Sequence, residues 1–199
     1  DLADVLKRDR FSARPLAGPK SVAVIFEKQS TRTRVSFEAG VAELGGHPVI
    51  IDARTMQLGR GETMEDTAQV LSRFVSAIVI RTFGHDRIES LAASATVPVV
   101  NALTDLAHPC QVLADLMTVR EERGQLAGVT LAYVGDGNNM AHSLLLGGAL
   151  AGMNIRIAAP RGYQPISPIV ERANAIADST GGSVVVTDDR EAAGAGADV

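Results

Sequence analysis

The chain of 199 residues is 46% hydrophobic and 4% aromatic, contains no Trp and carries a net charge of −4. An acidic chain with few aromatic residues has neither the basic surface nor the stacking platforms of a nucleic-acid-binding protein, so any phosphate binding must be local. A single cysteine, Cys110, excludes an internal disulfide framework and predicts a reducing, cytoplasmic compartment. No apolar stretch approaches the roughly 18 residues of a membrane span, and no charged-then-apolar leader opens the chain, so we expect neither a membrane span nor a secretory signal.

Short apolar runs alternate with helical patterns along the chain. The runs occupy residues 22–26, 48–51, 75–80, 97–100, 129–134, 154–158 and 183–186. This alternation predicts right-handed β-α-β units, and hence parallel sheets with helices on both faces. Helix ends are predicted at Gly45-Gly46, Gly124, Gly152 and Gly181-Gly182.

A domain boundary is predicted after the helix that begins with Pro109 and ends at Gly124. On its buried side we expect Val112, Leu113, Leu116 and Met117. The first domain then comprises residues 1–124 with four strands, and the second comprises residues 125–199 with three. The chain starts without Met and stops at Val199, at the onset of another apolar segment, so we expect a fragment whose second domain is incomplete.

A dense polar cluster lies where the first buried strand gives way to a helix. It consists of Ser30, Thr31, Arg32, Thr33 and Arg34. The first N–H groups of a helix lack intrahelical partners and its dipole is positive there, so hydroxyls and amides can surround a phosphate. We expect Arg32 to face the ligand with its planar fork and Arg34 to face a structural carboxylate. A serine N-cap with two solvated arginines is the plain alternative.

Further polar residues follow other strands of the first predicted sheet. Arg81 follows the run 75–80, and His108 and Gln111 lie at the start of the helix after the run 97–100. Because ligands bind beyond the carboxyl ends of parallel strands, these three and Arg32 are expected to converge on one small anion. Taken singly, Arg81 fits a surface ion pair, His108 a helix N-cap, and Gln111 a solvated side chain.

Other kinds of site fit the sequence less well. The histidines at positions 47, 85, 108 and 142 show no metal-ligand spacing, so we expect no metal. No base is arranged to activate Cys110, which is better explained as a small residue in a tight turn. The segment 135–140 follows a strand, but it lacks the third glycine and the later acidic residue of a dinucleotide site. Its amides and carboxylate suit the amine and carboxylate of an amino acid.

Four motifs occur in the order seen in transcarbamylases. They are Ser30-Thr31-Arg32-Thr33-Arg34, Arg81-Thr82-Phe83-Gly84, His108-Pro109-Cys110-Gln111 and Gly135-Asp136-Gly137-Asn138-Asn139-Met140. The chain resembles this family along essentially its whole length. Cys110, the pair Asn138-Asn139 and the segment Gln57–Glu62 resemble the ornithine branch rather than the aspartate branch. The resemblance implies two α/β/α domains of the transcarbamylase type, the second incomplete in this chain.

The resemblance also implies an activity, namely transfer of the carbamoyl group of carbamoyl phosphate to the δ-amine of L-ornithine, giving citrulline and phosphate without a cofactor, in arginine biosynthesis. The implied carbamoyl phosphate contacts are Ser30, Thr31, Arg32, Thr33, Gln57, Arg81, His108, Pro109, Cys110 and Gln111. Arg32, Arg81 and His108 are the implied catalytic residues, and Asn139 the implied ornithine contact. Gln57 belongs to a loop that in the family reaches a neighbouring subunit, which implies a homotrimer with shared active sites.

Two other hypotheses stay open. The family segments that grip ornithine would follow Val199, so a relative with another amine acceptor, such as putrescine or an acylated ornithine, remains compatible with the sequence. A non-catalytic phosphate- or nucleotide-binding module is the third hypothesis. The presence of both Arg81 and His108 disfavours it.

Overall fold

The computed structural model describes residues 2–52 and 61–199, which form two compact units that part between Thr104 and Asp105. The first unit contains α1 (Leu2–Arg8), β1 (Ser21–Phe26), α2 (Thr31–Glu43), β2 (His47–Asp52), α3 (Met64–Leu71), β3 (Ala77–Arg81), α4 (His85–Ser94) and β4 (Val99–Leu103). The second contains α5 (Pro109–Arg123), β5 (Thr130–Val134), α6 (Asn139–Leu150), β6 (Asn154–Ala158), α7 (Ser167–Thr180), β7 (Ser183–Thr187) and α8 (Arg190–Gly194). Within the described ranges no helix is long and apolar enough to cross a membrane.

The strands of the first unit form one parallel sheet in the order β2-β1-β3-β4. β1 and β3 lie in its middle and are buried on both faces, which is why both are continuous apolar runs rather than alternating patterns. On one face Val22, Val24 and Phe26 pack with Val41 of α2. On the other face the core includes residues of α3 and α4. The carboxyl ends of β1 and β3 therefore lie side by side, between two layers of helices.

The second unit is built on a parallel sheet in the order β5-β6-β7. Helix α6 is buried along most of its length and packs beside α5 and α7. The end of the chain extends the sheet beyond β5, because the N–H of Ala132 donates to the carbonyl of Val199 (2.9 Å) and the N–H of Asp198 donates to that of Thr130 (2.9 Å).

All seven predicted strands are present and parallel, which confirms the predicted fold class. β3 and β4 begin two residues later than predicted, because Val75 and Val97 pack into the core before the chain pairs with its neighbours. The predicted helix ends are also confirmed. Gly45, Gly124, Gly152 and Gly181 adopt positive φ just after a helix, a conformation that glycine reaches without strain.

Helix α5 belongs by its packing to the second unit. Val112 and Val119 join the core that surrounds β5 and β6. The expectation that Leu113 lies on the buried side is wrong, since this side chain is 65% exposed. The predicted boundary between residues 124 and 125 stays a prediction. The compact units themselves part before α5 rather than after it.

Candidate active site

Ser30 is the N-cap of helix α2, in the short connection that follows the buried strand β1. Its hydroxyl accepts a hydrogen bond from the N–H of Thr33 (3.3 Å) and donates one to Thr33 Oγ1 (2.9 Å). The serine N-cap offered as the plain alternative is therefore present. The same side chain also orients the hydroxyl of Thr33.

Arg81, the last residue of β3, reaches the hydroxyl of Thr33. Arg81 Nη1 donates to Thr33 Oγ1 (3.1 Å), so one oxygen accepts from both Ser30 and Arg81. A hydroxyl has two lone pairs and one proton, so Thr33 keeps its own proton for a further acceptor. The structure thus brings together three of the predicted site residues from two neighbouring strand ends.

The environment of Arg81 favours an anionic ligand. The register of β3 against β4 shifts between Ile80 and Arg81, and such irregularities re-aim side chains, frequently beside active sites. Burial lowers the pKa of the Arg81 guanidinium, because desolvation penalises its charged form. Its Nε is buried and has no hydrogen-bond partner among the described residues. An anion that accepted this hydrogen bond would satisfy the donor and offset the desolvation.

The two arginines of the polar cluster differ in their partners. Arg34 Nε lies 3.7 Å from Glu38 Oε2, one turn further along α2, so Arg34 faces a carboxylate as predicted, but in an exposed pair rather than a structural one. Arg32 is exposed and makes no ion pair or side-chain hydrogen bond with residues 2–52 or 61–199. Thr31 is exposed at the first position of α2. A cavity of about 310 Å³ beyond β1 and β2 is lined by Ser30, Thr31 and Arg34, but not by Arg32.

In the second unit, His108 precedes the Pro109 that begins α5. The N–H of His108 donates to Ser143 Oγ (2.7 Å), whereas its side chain does not cap the helix. Burial raises the pKa of the Cys110 thiol, which agrees with an unreactive residue rather than a nucleophile. Gln111 is exposed, and its Nε2 donates to Asp115 Oδ1 (2.9 Å).

Asn138 and Asn139 have different places at the start of α6. The Oδ1 atom of Asn138 caps the helix, accepting from the N–H groups of Met140 (2.8 Å) and Ala141 (3.3 Å). Asn139 is the first helical residue and is half-buried, and its carbonyl accepts the hydroxyl of Ser143 (2.7 Å). A Cβ on Gly137 would lie 2.1 Å from the backbone nitrogen of Pro165, so packing rather than a bound phosphate requires this glycine.

Sequence reasoning missed two polar residues of α6 that bind the main chain around the candidate site residues of the second unit. Ser143 binds the main chains of both His108 and Asn139. His142 is buried, with Nδ1 3.0 Å from the carbonyl of Leu106 and Nε2 accepting from the N–H of Ile166 (3.2 Å). These partners assign the proton to Nδ1. The only signal in the sequence was a pair of polar residues within an otherwise apolar helix.

Some predicted features concern residues that the structure does not describe or that belong to different units. Gln57 lies outside the described residues. The expected convergence of Arg32 and Arg81 with His108 and Gln111 involves both units and stays a prediction. In residues 2–52 and 61–199, no group of three or more His, Cys, Asp or Glu side chains suits a metal ion.

Two family models match nearly the whole chain. The carbamoyl-P binding domain of aspartate/ornithine carbamoyltransferases matches residues 1–121, and their Asp/Orn binding domain matches residues 127–199. The chain therefore belongs to the aspartate/ornithine carbamoyltransferase family, as its four motifs predicted.

Curated relatives named ornithine carbamoyltransferase align with the whole chain. It is 66% identical over 203 residues to that of Parafrankia sp. (strain EAN1pec), and 64% identical over 199 residues to that of Acidothermus cellulolyticus. The chain spans 64% of the length of each of these relatives.

Solved structures of the family share the fold. Ornithine carbamoyltransferase from Pyrococcus furiosus superposes with a TM-score of 0.88 at 47% identity, covering 94% of this chain and 59% of that one. An N-acetyl-L-ornithine transcarbamylase gives a TM-score of 0.87 at 31% identity, covering 98% of this chain and 67% of that one.

Proposed function

We propose that the full-length protein is an ornithine carbamoyltransferase, which moves the carbamoyl group of carbamoyl phosphate to the δ-amine of L-ornithine and yields citrulline and phosphate. Membership of the family and the named relatives support this function. The observation that carries it is the contact of Arg81 Nη1 with Thr33 Oγ1 (3.1 Å), next to a buried Nε with no partner among the described residues. A buried cation and a hydroxyl beside the start of α2 suit a small phosphate ester.

The phosphate group of the donor binds at the polar cluster. The hydroxyl of Thr31 and the first N–H groups of α2 donate to its oxygens, and the hydroxyl of Ser30 joins them by turning from Thr33 to the phosphate. Arg32 adds a planar fork that can hold two oxygens at once. The exposure of Arg32 and its lack of a partner among the described residues support this role.

The remaining candidate residues bind the carbamoyl group and the acceptor amine. Arg81, Thr33 and His108 donate toward the carbonyl oxygen, and the turn of Pro109, Cys110 and Gln111 completes the donor site. Asn139 binds the α-carboxylate or α-amine of ornithine. These assignments are carried over from the family's motifs, position by position.

Charge development explains why donors of this kind accelerate the transfer. The neutral δ-amine attacks the carbamoyl carbon, negative charge grows on the carbonyl oxygen, and the bond from that carbon to the phosphate oxygen then breaks. The departing phosphate can take the proton that the amine releases. One preorganised donor is typically worth about 3–4 kcal/mol in such a transition state. Carbamoyl phosphate is already activated, so the reaction needs no metal or organic cofactor.

The activity is tested by giving the full-length protein carbamoyl phosphate and a panel of amines. L-Ornithine, N-acetyl-L-ornithine, putrescine and L-aspartate are compared, with release of phosphate and the mass of the carbamoylated product as readouts. We expect citrulline from L-ornithine and little product from the others. A preference for another amine would move the protein to a different branch. Binding of carbamoyl phosphate without transfer to any amine would favour a non-catalytic module.

Gln57 extends the proposal to the assembly. We propose a cytoplasmic homotrimer that serves arginine biosynthesis, in which Gln57 contacts the carbamoyl phosphate of an adjacent subunit. Gln57→Ala should then weaken carbamoyl phosphate binding without unfolding the protein. Mixed subunits of Gln57→Ala and Arg32→Ala should regain activity that neither parent has, because some shared sites carry neither change. Hybrids as inactive as both parents would contradict a shared site.

A further inference from the structure

Glu27 lies one residue beyond β1, and three donors surround its carboxylate. Arg87 Nε donates to Oε2 (3.0 Å), and Arg87 Nη2 donates to Oε1, so the arginine binds both oxygens. The hydroxyl of Thr82 also donates to Oε2. Thr82 is completely buried, and the side chain of Glu27 is only 13% exposed. The carboxylate is thus held in one position by groups from the β3–α4 region.

The backbone of Glu27 holds the same region from the other side. Its N–H donates to the carbonyl of Arg81 (3.0 Å), which prolongs the pairing of β1 with β3 past the end of β1. Residues 81 and 82 are therefore fixed by the backbone and the side chain of one residue. The register of β3 against β4 shifts at this point, so pairing with β4 alone would not determine the direction of Arg81.

The ion pair of Glu27 differs from other pairs in the described part of the chain. The acidic side chains of Arg34–Glu38, Arg161–Asp188 and the bidentate pair Arg10–Glu43 are 49%, 48% and 26% exposed, against 13% for Glu27. Exposed pairs order little around them, whereas a bidentate pair whose carboxylate is largely buried fixes the elements to which it is attached. Because Arg87 neutralises Glu27, the pair leaves the positive charge of Arg81 for a ligand.

We propose that Glu27, held by Arg87, is a positioning residue for the carbamoyl transfer. It fixes the end of β3 so that Arg81 meets Thr33, and thereby sets the spacing between the arginine and the hydroxyls of the polar cluster. Glu27 touches no substrate in this role and acts through Arg81. The inference rests on the proposed function, because the spacing matters only if Arg81 and Thr33 hold the same donor substrate.

The test compares Glu27→Gln with a matched control in the full-length protein. Glu27→Gln keeps the size of the side chain and removes its charge. We expect kcat/KM for carbamoyl phosphate to fall by about 10- to 100-fold, since displacements near 1 Å at reacting groups have effects of this size. The control is Glu43→Gln, which breaks another bidentate pair of the same unit, with the 64% exposed Arg10, and should change kcat/KM by less than about twofold. Arg87→Gln removes the other partner, at a position that is 39% exposed, and serves if Glu27→Gln fails to fold.

A double-mutant cycle with Arg81→Ala separates positioning from general stabilisation. In the Arg81→Ala background there is no guanidinium to position. Adding Glu27→Gln should therefore lower kcat/KM for carbamoyl phosphate by less than about a further twofold. A residue that merely stabilised the fold would lower activity by the same factor in both backgrounds. Equal factors, or a Glu27→Gln as harmless as Glu43→Gln, would overturn the proposal.

The same design distinguishes this inference from the proposed function. If the wild-type protein binds carbamoyl phosphate but carbamoylates no amine, the proposed transfer fails. The role of Glu27 can then still be decided by measuring the Kd for carbamoyl phosphate by calorimetry for the same set of single and double variants. If the wild-type protein binds no carbamoyl phosphate, both proposals fail.

Discussion

The two units hold their candidate site residues in different ways. In the first unit, side chains bind one another, since Ser30 and Arg81 both donate to the hydroxyl of Thr33. In the second unit, Ser143 binds the main chains of His108 and Asn139. A side chain of the first unit therefore depends on its neighbours. The main chains of His108 and Asn139 depend on one hydroxyl that belongs to neither of them.

The largest loss of activity is expected at Arg32, which differs from Arg34 of the same polar cluster in having no partner among the described residues. Arg32→Ala should lower kcat/KM for carbamoyl phosphate by about 100- to 1,000-fold, because it removes a charge whose interaction strengthens as phosphate departs. Arg32→Lys should restore little, since a point charge does not reproduce the fork. Steady-state kinetics measure both variants.

Arg34→Ala is the matched control for Arg32→Ala. It removes the same side chain two residues later, where the guanidinium faces Glu38 on an exposed surface. The pair with Glu38 contributes little, so the change in kcat/KM should stay within a few-fold. Two outcomes would contradict the assignment of Arg32 to the phosphate. One is an unchanged kcat/KM in Arg32→Ala, and the other is a loss of about 100-fold or more in Arg34→Ala.

A smaller effect is expected at His108, whose N–H donates to Ser143 Oγ. His108→Ala should lower kcat by about 100-fold, and His108→Asn by less, because asparagine keeps a donor for the carbonyl oxygen. Activity should also rise with pH above neutrality, since ornithine must lose a proton before it attacks. The measurement is kcat as a function of pH for the three proteins. Two variants that are equally impaired, or equally active, would exclude a donor role.

The fold was largely predictable because its strands are short apolar runs, of which β1 and β3 are buried on both faces. A parallel strand between two helix layers is a continuous apolar run, so all seven strands are visible in the sequence, and glycine marks where helices end. The limits of β3 and β4 were less predictable, since Val75 and Val97 look like strand residues but serve only the core. Which face of α5 is buried depends on the element that packs against it, and the local sequence does not reveal that element. Leu113 is therefore exposed although its spacing suggested burial.

The same reasoning explains what was predictable in the site. Arg81 and the polar cluster follow directly after buried strands, so topology alone places them at one edge. Their supports come from distant positions: Glu27 meets Arg87 sixty residues later, and His108 meets Ser143 thirty-five residues later. Neither glutamate nor serine is unusual in its own segment. Their function is visible only once the two elements lie together.

Ser143 gives the smallest expected effect and tests the comparison most directly. Ser143→Ala leaves the N–H of His108 and the carbonyl of Asn139 without the hydroxyl that joins them, a loss of about 1–3 kcal/mol for a buried polar group. If main-chain anchoring locates both residues, the KM values for carbamoyl phosphate and for ornithine should rise together, by about 10-fold at most. Hydrogen–deuterium exchange of a peptide covering residues 105–113 should accelerate.

Ser179→Ala is the control, because the hydroxyl of Ser179 also donates to a helix carbonyl, that of Ile176 (2.7 Å), but on an exposed surface. A rise in only one of the two KM values, or exchange no faster than in Ser179→Ala, would mean that Ser143 does not position His108 and Asn139 together.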